Sequence, residues 1–178
     1  EAIAARLGEH LQALPEGYVS ECGLGIEPWI AALSAALQQG VILLIDYGLP
    51  RAHLYHPQRN DGTLRCYFRH RAHDDPFFPP GLCDITAWVD FTAVAEAAVA
   101  QGLQVLGYTT QAAFLLDNGI EHLLARAMPE QQRARLAHGA RQLLLPGEMG
   151  ESVKVMALGR NCDAPLPGFS LRDLTARL

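Results

Sequence analysis

Residues 41–48 have the sequence Val41-Ile-Leu-Leu-Ile-Asp-Tyr-Gly48, and this stretch decides the fold class. Its first five residues are all apolar, with no alternation of polar and apolar side chains. A continuous apolar run of this kind is typical of a strand that is covered on both faces in a parallel α/β sheet. Asp46 would then lie at the carboxyl end of the strand, where open α/β sheets bind their ligands. From its position alone, Asp46 is equally well explained as a turn residue whose side chain caps its own backbone.

The segments on either side of this strand alternate between helix and strand. Upstream, apolar spacing predicts helices over residues 3–14 and 29–39, with a short strand over residues 18–22 between them. Downstream, the predicted elements are helix 91–100, strand 103–108, helices 112–116 and 120–127 with a break at 117–119, helix 129–145, strand 152–158 and a Pro-containing tail. Either Asp84 or Thr86 can serve as the N-cap before the first of these helices. The order predicts one α/β domain whose last two strands are joined by a helical insertion.

Residues 49–83 show neither the helical nor the strand period. The segment holds five of the eleven prolines and four of the seven histidines, together with several aromatic residues. A loop of this length inside a domain is usually functional or disordered, and its aromatic content argues against disorder. We therefore expect an ordered substrate-side lid with a short strand near residues 64–68. Arg65 and His70 are its most useful polar groups for holding an anion, although a surface hairpin with solvated charges fits them too.

Composition argues against several functional classes. The chain has 178 residues, of which 49% are hydrophobic, and a formal charge of −5, so wholesale disorder and a surface built to grip nucleic-acid phosphates are both disfavoured. No apolar run approaches the roughly 18 residues of a membrane span. The four cysteines contain no C-x-x-C pair, which favours free thiols in a reducing compartment. We therefore expect no nucleic-acid partner, no membrane association and a cytoplasmic location.

The common sequence signatures of metal, nucleophile and phosphate sites are not found in the chain. Its His and Cys residues between positions 53 and 83 have irregular spacings, so no metal site is expected. No G-x-S-x-G nucleophile motif occurs. Neither glycine-rich phosphate-binding motif occurs, and Cys22-Gly-Leu-Gly25 lacks the long buried strand that should precede such a loop.

An ordered set of short motifs is more specific than any of these patterns. The motifs are Val41-Ile-Leu-Leu-Ile-Asp-Tyr-Gly48, Gly62-Thr-Leu-Arg65, His70, Pro80-Gly81, Asp84-Ile-Thr-Ala-Trp-Val-Asp-Phe91, Thr110-Gln111, Phe114-Leu115, Gly119-Ile120 and Met149-Gly-Glu-Ser-Val-Lys154. Together they resemble the MidA-like family of S-adenosylmethionine (SAM) dependent methyltransferases, which includes the mitochondrial arginine methyltransferase that assists respiratory complex I assembly. The resemblance extends from about residue 17 to residue 158. Family members usually have His where this sequence has Trp88.

The resemblance implies a fold, a cofactor and an acceptor. Family members are roughly twice as long, and their glycine-rich SAM loop and ribose-binding acidic residue lie in the N-terminal half. We therefore expect the C-terminal half of a Rossmann-like α/β methyltransferase: a mostly parallel sheet with a final antiparallel strand, a substrate-side loop at 49–83 and a helical insertion at 112–145. The implied activity is SAM-dependent methylation of protein arginine, for example on a respiratory-complex subunit. Taken alone, the chain should bind SAM weakly or not at all, and the open edge of its sheet should promote a homodimer or aggregation.

Nine residues are nominated for the site. The predicted catalytic residues are Asp46, Arg65, His70 and Asp84; the predicted cofactor-binding residues are Tyr47 and Gly48; the predicted substrate-binding residues are Thr86, Asp90 and Gln111. Carboxylates are needed to orient an acceptor guanidinium. Arg65 is expected to pair with Asp46 or Asp84 and so tie the lid to the sheet. The alternative is a non-catalytic binding or assembly module of the same fold, with residues 112–145 as its contact region.

Overall fold

The computed structural model describes residues 2–126, 129–162 and 165–178. Its α-helices are α1 (Ala2–Leu7), α2 (Ile26–Ala36), α3 (Arg51–Leu54), α4 (Phe91–Ala100), α5 (Gln111–Asp117), α6 (Ile120–Leu124) and α7 (Glu130–Leu144). Its strands are β1 (Gly40–Leu49), β2 (Arg65–Phe68), β3 (Arg71–His73), β4 (Asp84–Thr86), β5 (Val89–Asp90), β6 (Gln104–Thr110) and β7 (Val153–Arg160). Short 3₁₀ helices occupy Gly8–Ala13 and Thr175–Arg177. Within the described ranges, no helix combines the length and apolar character that crossing a membrane requires.

Four strands form the main sheet in the order β5-β1-β7-β6. β1 runs parallel to β5, and β7 runs antiparallel to both of its neighbours, β1 and β6. Because β6 opposes β7, it has the same direction as β1 and β5. Three strands therefore share one direction and the final strand opposes them, which confirms the predicted α/β class with its last strand antiparallel.

Helices α2 and α4 enclose the hydrophobic core against one face of this sheet. Ile30 of α2 and Val94 of α4 are buried with Met156 and Leu158 of β7 in a single cluster. Each large apolar side chain buried in this way contributes about 1.5–3 kcal/mol to folding. β7 is buried almost along its whole length, because its residues pack in the core beneath α2 and α4 and α5 also contacts the strand.

Helix α4 begins directly after Asp90, which is its N-cap. Asp90 Oδ1 accepts the backbone N–H of Ala93 at 3.0 Å and so satisfies one of the donors that a helix N-terminus leaves unpaired. The prediction that Asp84 or Thr86 caps this helix is wrong, because both residues lie in β4 and pair with β2. The predicted helix over residues 91–100 is confirmed.

β1 has one covered face and one exposed face. Ile42 and Leu44 pack against the core, whereas Leu43 and Ile45 are 46% and 52% exposed. The prediction that this strand is covered on both faces is therefore wrong for the described residues, because α2 and α4 cover only one side of it. The outer edge of β1 is also largely open, since β5 pairs with only its last two residues. The main sheet of this chain thus ends at an apolar strand.

The long segment after β1 is ordered around a second sheet. This sheet is antiparallel and has the strand order β3-β2-β4. β2 coincides with the strand predicted near residues 64–68. The turn between β2 and β3 is formed by Arg69 and His70, whose φ angles are 50° and 63°. Two successive residues of positive φ are typical of the tight turns that join hairpin strands.

The helical insertion lies between β6 and β7, as the sequence predicts. α5 and α6 are separated by Asn118 and Gly119, and Gly119 adopts the left-handed conformation with φ 73°. This is the predicted break. α6 ends at Leu124, which is earlier than the predicted end at residue 127, and residue 127 itself lies outside the described residues.

The two ends of the chain differ from the predictions. The helix predicted over residues 3–14 is α1 followed by a 3₁₀ helix, and the strand predicted over residues 18–22 amounts to one bridge between Val19 and Asp61. The tail that follows β7 packs back onto the sheet, since the Leu174 N–H donates to the Tyr108 carbonyl at 2.8 Å. The tail therefore belongs to the fold of the domain.

Candidate active-site cleft

A cleft of about 800 Å³ opens at the carboxyl end of β1. Asp46 and Tyr47 line it from the main sheet, and Arg65, Tyr67 and Thr86 line it from the small sheet. Open α/β sheets bind their ligands at this end of their strands. The cleft therefore brings together four of the nine predicted site residues, which come from two separate sheets.

Asp46 is oriented by its own backbone. Its Oδ1 accepts the N–H of the next residue, Tyr47, at 2.7 Å, although Asp46 lies within β1 and not in the turn that its position also allowed. Its Oδ2 accepts no hydrogen bond from the described residues, and the side chain is exposed at the cleft. One carboxylate oxygen is thus held in place while the other is accessible to a ligand.

Arg65 pairs with Asp74, whose Oδ1 lies 3.1 Å from the Arg65 Nη1. The prediction that Arg65 pairs with Asp46 or Asp84 is therefore wrong. The register of the hairpin explains the difference, because its continuation past His73 brings the next residue, Asp74, opposite Arg65. The two side chains are 50% and 77% exposed, so the ion pair contributes at most about 1 kcal/mol.

The turn that leads into β2 is held by Glu21. The Glu21 carboxylate accepts the backbone N–H of Thr63 at 2.9 Å, the N–H of Leu64 at 2.5 Å and the Thr63 hydroxyl at 3.2 Å. The Thr63 hydroxyl oxygen in turn accepts the backbone N–H of Trp88 at 2.9 Å. Because Thr63 and Trp88 both line the cleft, Glu21 fixes two parts of its wall relative to each other.

Gly62 allows Glu21 to approach this turn. Its φ is 68°, a left-handed value that favours glycine. A Cβ atom at this position would lie 2.5 Å from the Glu21 Oε1. The glycine in the Gly62-Thr-Leu-Arg65 motif is therefore explained by the backbone conformation and by the close carboxylate.

Asp90 is 3% exposed, and both of its carboxylate oxygens accept hydrogen bonds within the domain. Besides capping α4, it accepts the Arg51 Nε–H at Oδ2 over 3.2 Å. Arg51 also pairs with both carboxylate oxygens of Glu96, at 2.9 and 2.5 Å. Although partial burial disfavours the charged guanidinium, its hydrogen bonds to Glu96 and Asp90 raise the pKa of Arg51 above its ordinary value. The substrate-binding role of Asp90 stays a prediction.

The other four predicted site residues, Gly48, His70, Asp84 and Gln111, do not line the cleft. A Cβ atom on Gly48 would lie 2.4 Å from the Val89 carbonyl oxygen, so this glycine allows β5 to pair with β1. His70 and Asp84 are exposed on the small sheet. The Gln111 side-chain amide donates to the Leu143 carbonyl at 3.0 Å and links α5 to α7. The functional roles predicted for these four residues stay predictions.

Sequence reasoning did not identify several groups that shape the cleft. Glu148 and Ser152 line it close to the start of β7, and only the family motif at residues 149–154 marked this place. Arg59 and Trp88 also line it, and Glu21 holds its wall. No local sequence pattern marks Glu21, because the residues that donate hydrogen bonds to it are far away along the chain. Within the described part of the chain, no group of three or more His, Cys, Asp or Glu side chains is arranged to hold a metal ion.

Comparison with known protein families shows which family the chain belongs to. Residues 1–109, which are more than half of it, match the model of a family described as candidate S-adenosyl-L-methionine-dependent methyltransferases. The chain belongs to this family. The match agrees with the resemblance that the ordered sequence motifs indicated.

Solved structures with the same fold support this family membership. The chain superposes over its whole length on a candidate methyl transferase from Burkholderia thailandensis bound to S-adenosyl-homocysteine, with a TM-score of 0.94 and 43% identity. A native crystal structure from the same organism gives a TM-score of 0.91 and 42% identity over 98% of this chain. The chain covers 46% and 48% of these two proteins.

Curated relatives of the family are mitochondrial proteins. The chain is 32% identical over 163 residues to the protein arginine methyltransferase NDUFAF7 homolog of Drosophila melanogaster, covering 84% of this chain and 35% of the relative. It is 34% identical over 128 residues to protein arginine methyltransferase NDUFAF7 of Homo sapiens, covering 69% of this chain and 27% of the relative. The chain thus spans about a third of the length of these relatives.

Proposed function

We propose that this chain forms the acceptor side of a SAM-dependent methyltransferase that methylates arginine side chains of a protein. The observation that carries the proposal is the cleft at the carboxyl end of β1, where the Asp46 carboxylate faces a space bounded by aromatic and polar side chains. Similarity to a protein with bound S-adenosyl-homocysteine supports the cofactor class. Similarity to arginine methyltransferases supports the acceptor class. A respiratory complex I subunit is the first acceptor to test.

The residues of this chain fit one wall of a SAM site. Tyr47 lines the cleft with a partly exposed ring that can pack against the cofactor. Gly48 is enclosed by Val89 and Phe91, so it acts by shaping the strand end. The chain contains no G-x-G-x-x-G motif of the kind that cradles a nucleotide cofactor. When bound, SAM supplies an electrophilic methyl group.

The side chains of the cleft can hold the acceptor in a reactive position. Methyl transfer requires the acceptor nitrogen to lie in line with the breaking bond, and the guanidinium must lose a proton. Asp46 can accept a hydrogen bond from the guanidinium at Oδ2 and fix its orientation. Glu148 provides a second carboxylate in the same cleft. Tyr67 and Trp88 add apolar surface that excludes water from the bound acceptor.

The direct test is methyl transfer by the full gene product, with isotope-labelled SAM and protein extracted from a strain that lacks the gene. The Asp46→Asn variant should lower label incorporation by more than about tenfold, because it removes the charge that orients the guanidinium. Glu16→Gln is the control, because Glu16 is exposed and does not line the cleft. Equal incorporation by the Asp46→Asn variant and the unmodified protein would overturn the assignment of Asp46.

Calorimetric titration with SAM tests the cofactor arrangement separately. The 178-residue chain should bind SAM weakly, because its residues fit only one wall of the site. The full gene product should bind it far more tightly if it supplies the rest of the site. A micromolar dissociation constant for the 178-residue chain would contradict the proposed division of the site.

A non-catalytic assembly module is the second candidate function, and the helical insertion favours it. The insertion exposes several large apolar side chains on its helices, namely Leu116, Leu123, Leu136 and Leu143. Exposed apolar groups on neighbouring helices are typical of a surface that binds another protein. If the full gene product incorporates no label from SAM but binds a partner through residues 112–145, this second function is the correct one.

A further inference from the structure

We propose that Arg59, which lies over the Trp88 ring, forms a carboxylate-binding subsite in the cleft together with Arg65. The central guanidinium carbon of Arg59 lies 5.3 Å from the centroid of the Trp88 ring. A cation at this distance from an indole face is attracted by the electron density of the ring. Arg59 and Arg65 both line the cleft of about 800 Å³. Both also line an adjoining pocket of about 580 Å³.

Arg59 differs from the other partly buried arginines in having no partner. Arg6, Arg51 and Arg160 each donate hydrogen bonds to carbonyl or carboxylate oxygens. The Arg59 guanidinium forms no ion pair and donates no hydrogen bond to any described residue, and its buried Nε is without a partner. A guanidinium that is partly removed from water and left unpaired is costly unless a ligand satisfies it.

The geometry favours a planar anion as the ligand. The Arg59 guanidinium lies over the Trp88 ring with none of its N–H groups paired to a described residue. Its planar fork can donate two parallel hydrogen bonds to one ligand. A carboxylate matches this edge in shape and charge. Arg65 adds a second positive charge, since its ion pair with Asp74 is exposed and can exchange partners. Asp46 and Glu148 line the same cleft, which therefore contains acidic as well as basic side chains.

A carboxylate could reach this subsite from two sources. One is the methionine carboxylate of SAM, and the other is an acidic side chain that lies near the methylated arginine of the acceptor. Assignment to either source rests on the proposed function, whereas binding of a simple carboxylate does not. The experiment therefore first tests the subsite with a small probe and then tests its source.

Fluorescence of Trp88 reports binding directly. The chain has two tryptophans, so a Trp29→Phe background leaves Trp88 as the only indole. Titration with acetate at constant ionic strength should change its emission in a saturable way, whereas neutral acetamide should not. Arg59→Gln should weaken the acetate response at least about tenfold. Absence of a saturable response in the background protein, or an unchanged response in Arg59→Gln, would overturn the proposal.

Arg69 provides the matched control. Its guanidinium carbon lies 5.2 Å from the Phe68 ring centroid, but it stands exposed at the hairpin turn, away from the cleft. Arg69→Gln should therefore leave the acetate response unchanged. Arg59→Lys keeps the charge and loses the planar fork, so it should bind acetate more weakly than Arg59 does. If Arg59→Gln does not fold, as judged by circular dichroism, Arg59→Lys decides the test.

The source of the carboxylate is resolved on the full gene product. S-adenosyl-homocysteine carries the carboxylate, and 5′-methylthioadenosine lacks it. Selective loss of S-adenosyl-homocysteine affinity in Arg59→Gln assigns the subsite to the cofactor. Unchanged affinity for both compounds, with the acetate response lost, assigns it to the acceptor. If the gene product transfers no methyl group but Trp88 still responds to acetate, the proposed function fails and the subsite stands.

Discussion

The Glu21 carboxylate accepts the backbone N–H of Thr63 at 2.9 Å, although the two residues lie 42 positions apart. This contact joins the segment before α2 to the turn that carries Arg65 into the cleft. The Thr63 hydroxyl extends the connection to the backbone of Trp88. The shape of the cleft wall therefore depends on a residue that does not itself line the cleft.

Removing this carboxylate should destabilise the domain and disorder the cleft wall. We expect Glu21→Ala to lower the free energy of unfolding by about 1.5–3 kcal/mol, because the hydrogen bonds it removes involve a charged acceptor. Urea unfolding followed by circular dichroism measures the loss. Glu16→Ala, at an exposed position nearby, should change the free energy by less than about 0.5 kcal/mol. Equal stability of the two variants would show that the Glu21 contacts contribute nothing.

A double-mutant cycle tests whether Gly62 and Glu21 act together. Gly62→Ala should cost about 1–3 kcal/mol, because its φ of 68° is unfavourable for alanine and the new Cβ meets the Glu21 Oε1. In the Glu21→Ala background the steric part of this cost should vanish, so the two losses should sum to more than the double variant shows. Strict additivity in urea unfolding would contradict the close contact.

Local sequence patterns correctly predicted those helices and strands whose type and position depend on neighbouring residues alone. The helix over residues 91–100 and the strand near residues 64–68 were both correct, because apolar spacing and flanking breakers are local properties. The apolar run at residues 41–45 correctly predicted a strand. It did not predict that Leu43 and Ile45 are exposed. An apolar run indicates that a strand can be buried on both faces, but whether each face is buried depends on which other elements pack against it.

The sequence predicted four of the residues that line the cleft, namely Asp46, Tyr47, Arg65 and Thr86. Asp46 and Tyr47 follow directly from the end of the apolar strand. The partner of Arg65 depends on hairpin register, which the sequence of β2 alone does not specify, so Asp74 was not expected. Glu21 and Arg59 contribute through contacts that join distant segments, and no spacing rule marks such contacts.

The attachment of the tail should depend on pH through Asp117. Its carboxylate accepts the Ser170 hydroxyl at 2.6 Å, the Ser170 N–H at 2.9 Å and the Gly168 N–H at 2.8 Å. These hydrogen bonds, those from Ser170 foremost, hold the pKa of Asp117 below its ordinary value of 3.8. Because the folded pKa is lowered, the stabilisation is fully present above the unfolded pKa and is lost as the pH falls through the folded value.

Asp117→Asn should therefore destabilise the domain at neutral pH and less so in acid. Urea unfolding at about pH 7 and at successively lower pH, to below about pH 3.8, gives the difference in unfolding free energy between variant and unmodified chain. This difference should shrink across the acid range. Ser170→Ala removes the hydroxyl donor and should weaken the same pH dependence. A difference that is the same at every pH would mean that the Asp117 charge is not responsible.

The exposed face of β1 should drive self-association of the isolated chain. Leu43 and Ile45 lie on a strand whose outer edge is largely unpaired, and an open apolar edge favours pairing with another chain. Sedimentation velocity should show dimers or larger species that Ile45→Lys dissociates. Val99→Lys is the control, because Val99 is exposed on α4, away from this edge. A monodisperse monomer of the unmodified chain would contradict the prediction.

The predicted functional role of residues 49–83 can be separated from their contribution to stability through Arg65. The ion pair between Arg65 and Asp74 is exposed, so Arg65→Ala should lower the free energy of unfolding by at most about 1 kcal/mol. Arg65 also lines the cleft, and its loss should therefore lower turnover of the full gene product by more than about tenfold. Asp74→Asn removes the same ion pair but not the guanidinium, so it should leave turnover close to normal.

Amide hydrogen exchange shows whether the same segment responds to ligands. Residues 49–83 follow the carboxyl end of β1 and carry one wall of the cleft, so their amide exchange should slow when SAM and acceptor are bound together. Exchange in α7 provides the internal control, because this helix does not line the cleft. If turnover is normal in Arg65→Ala and amide exchange is unchanged by both ligands, residues 49–83 only pack against the sheet. Slowed exchange with impaired turnover would instead assign them to acceptor binding, because a static surface loop changes neither quantity.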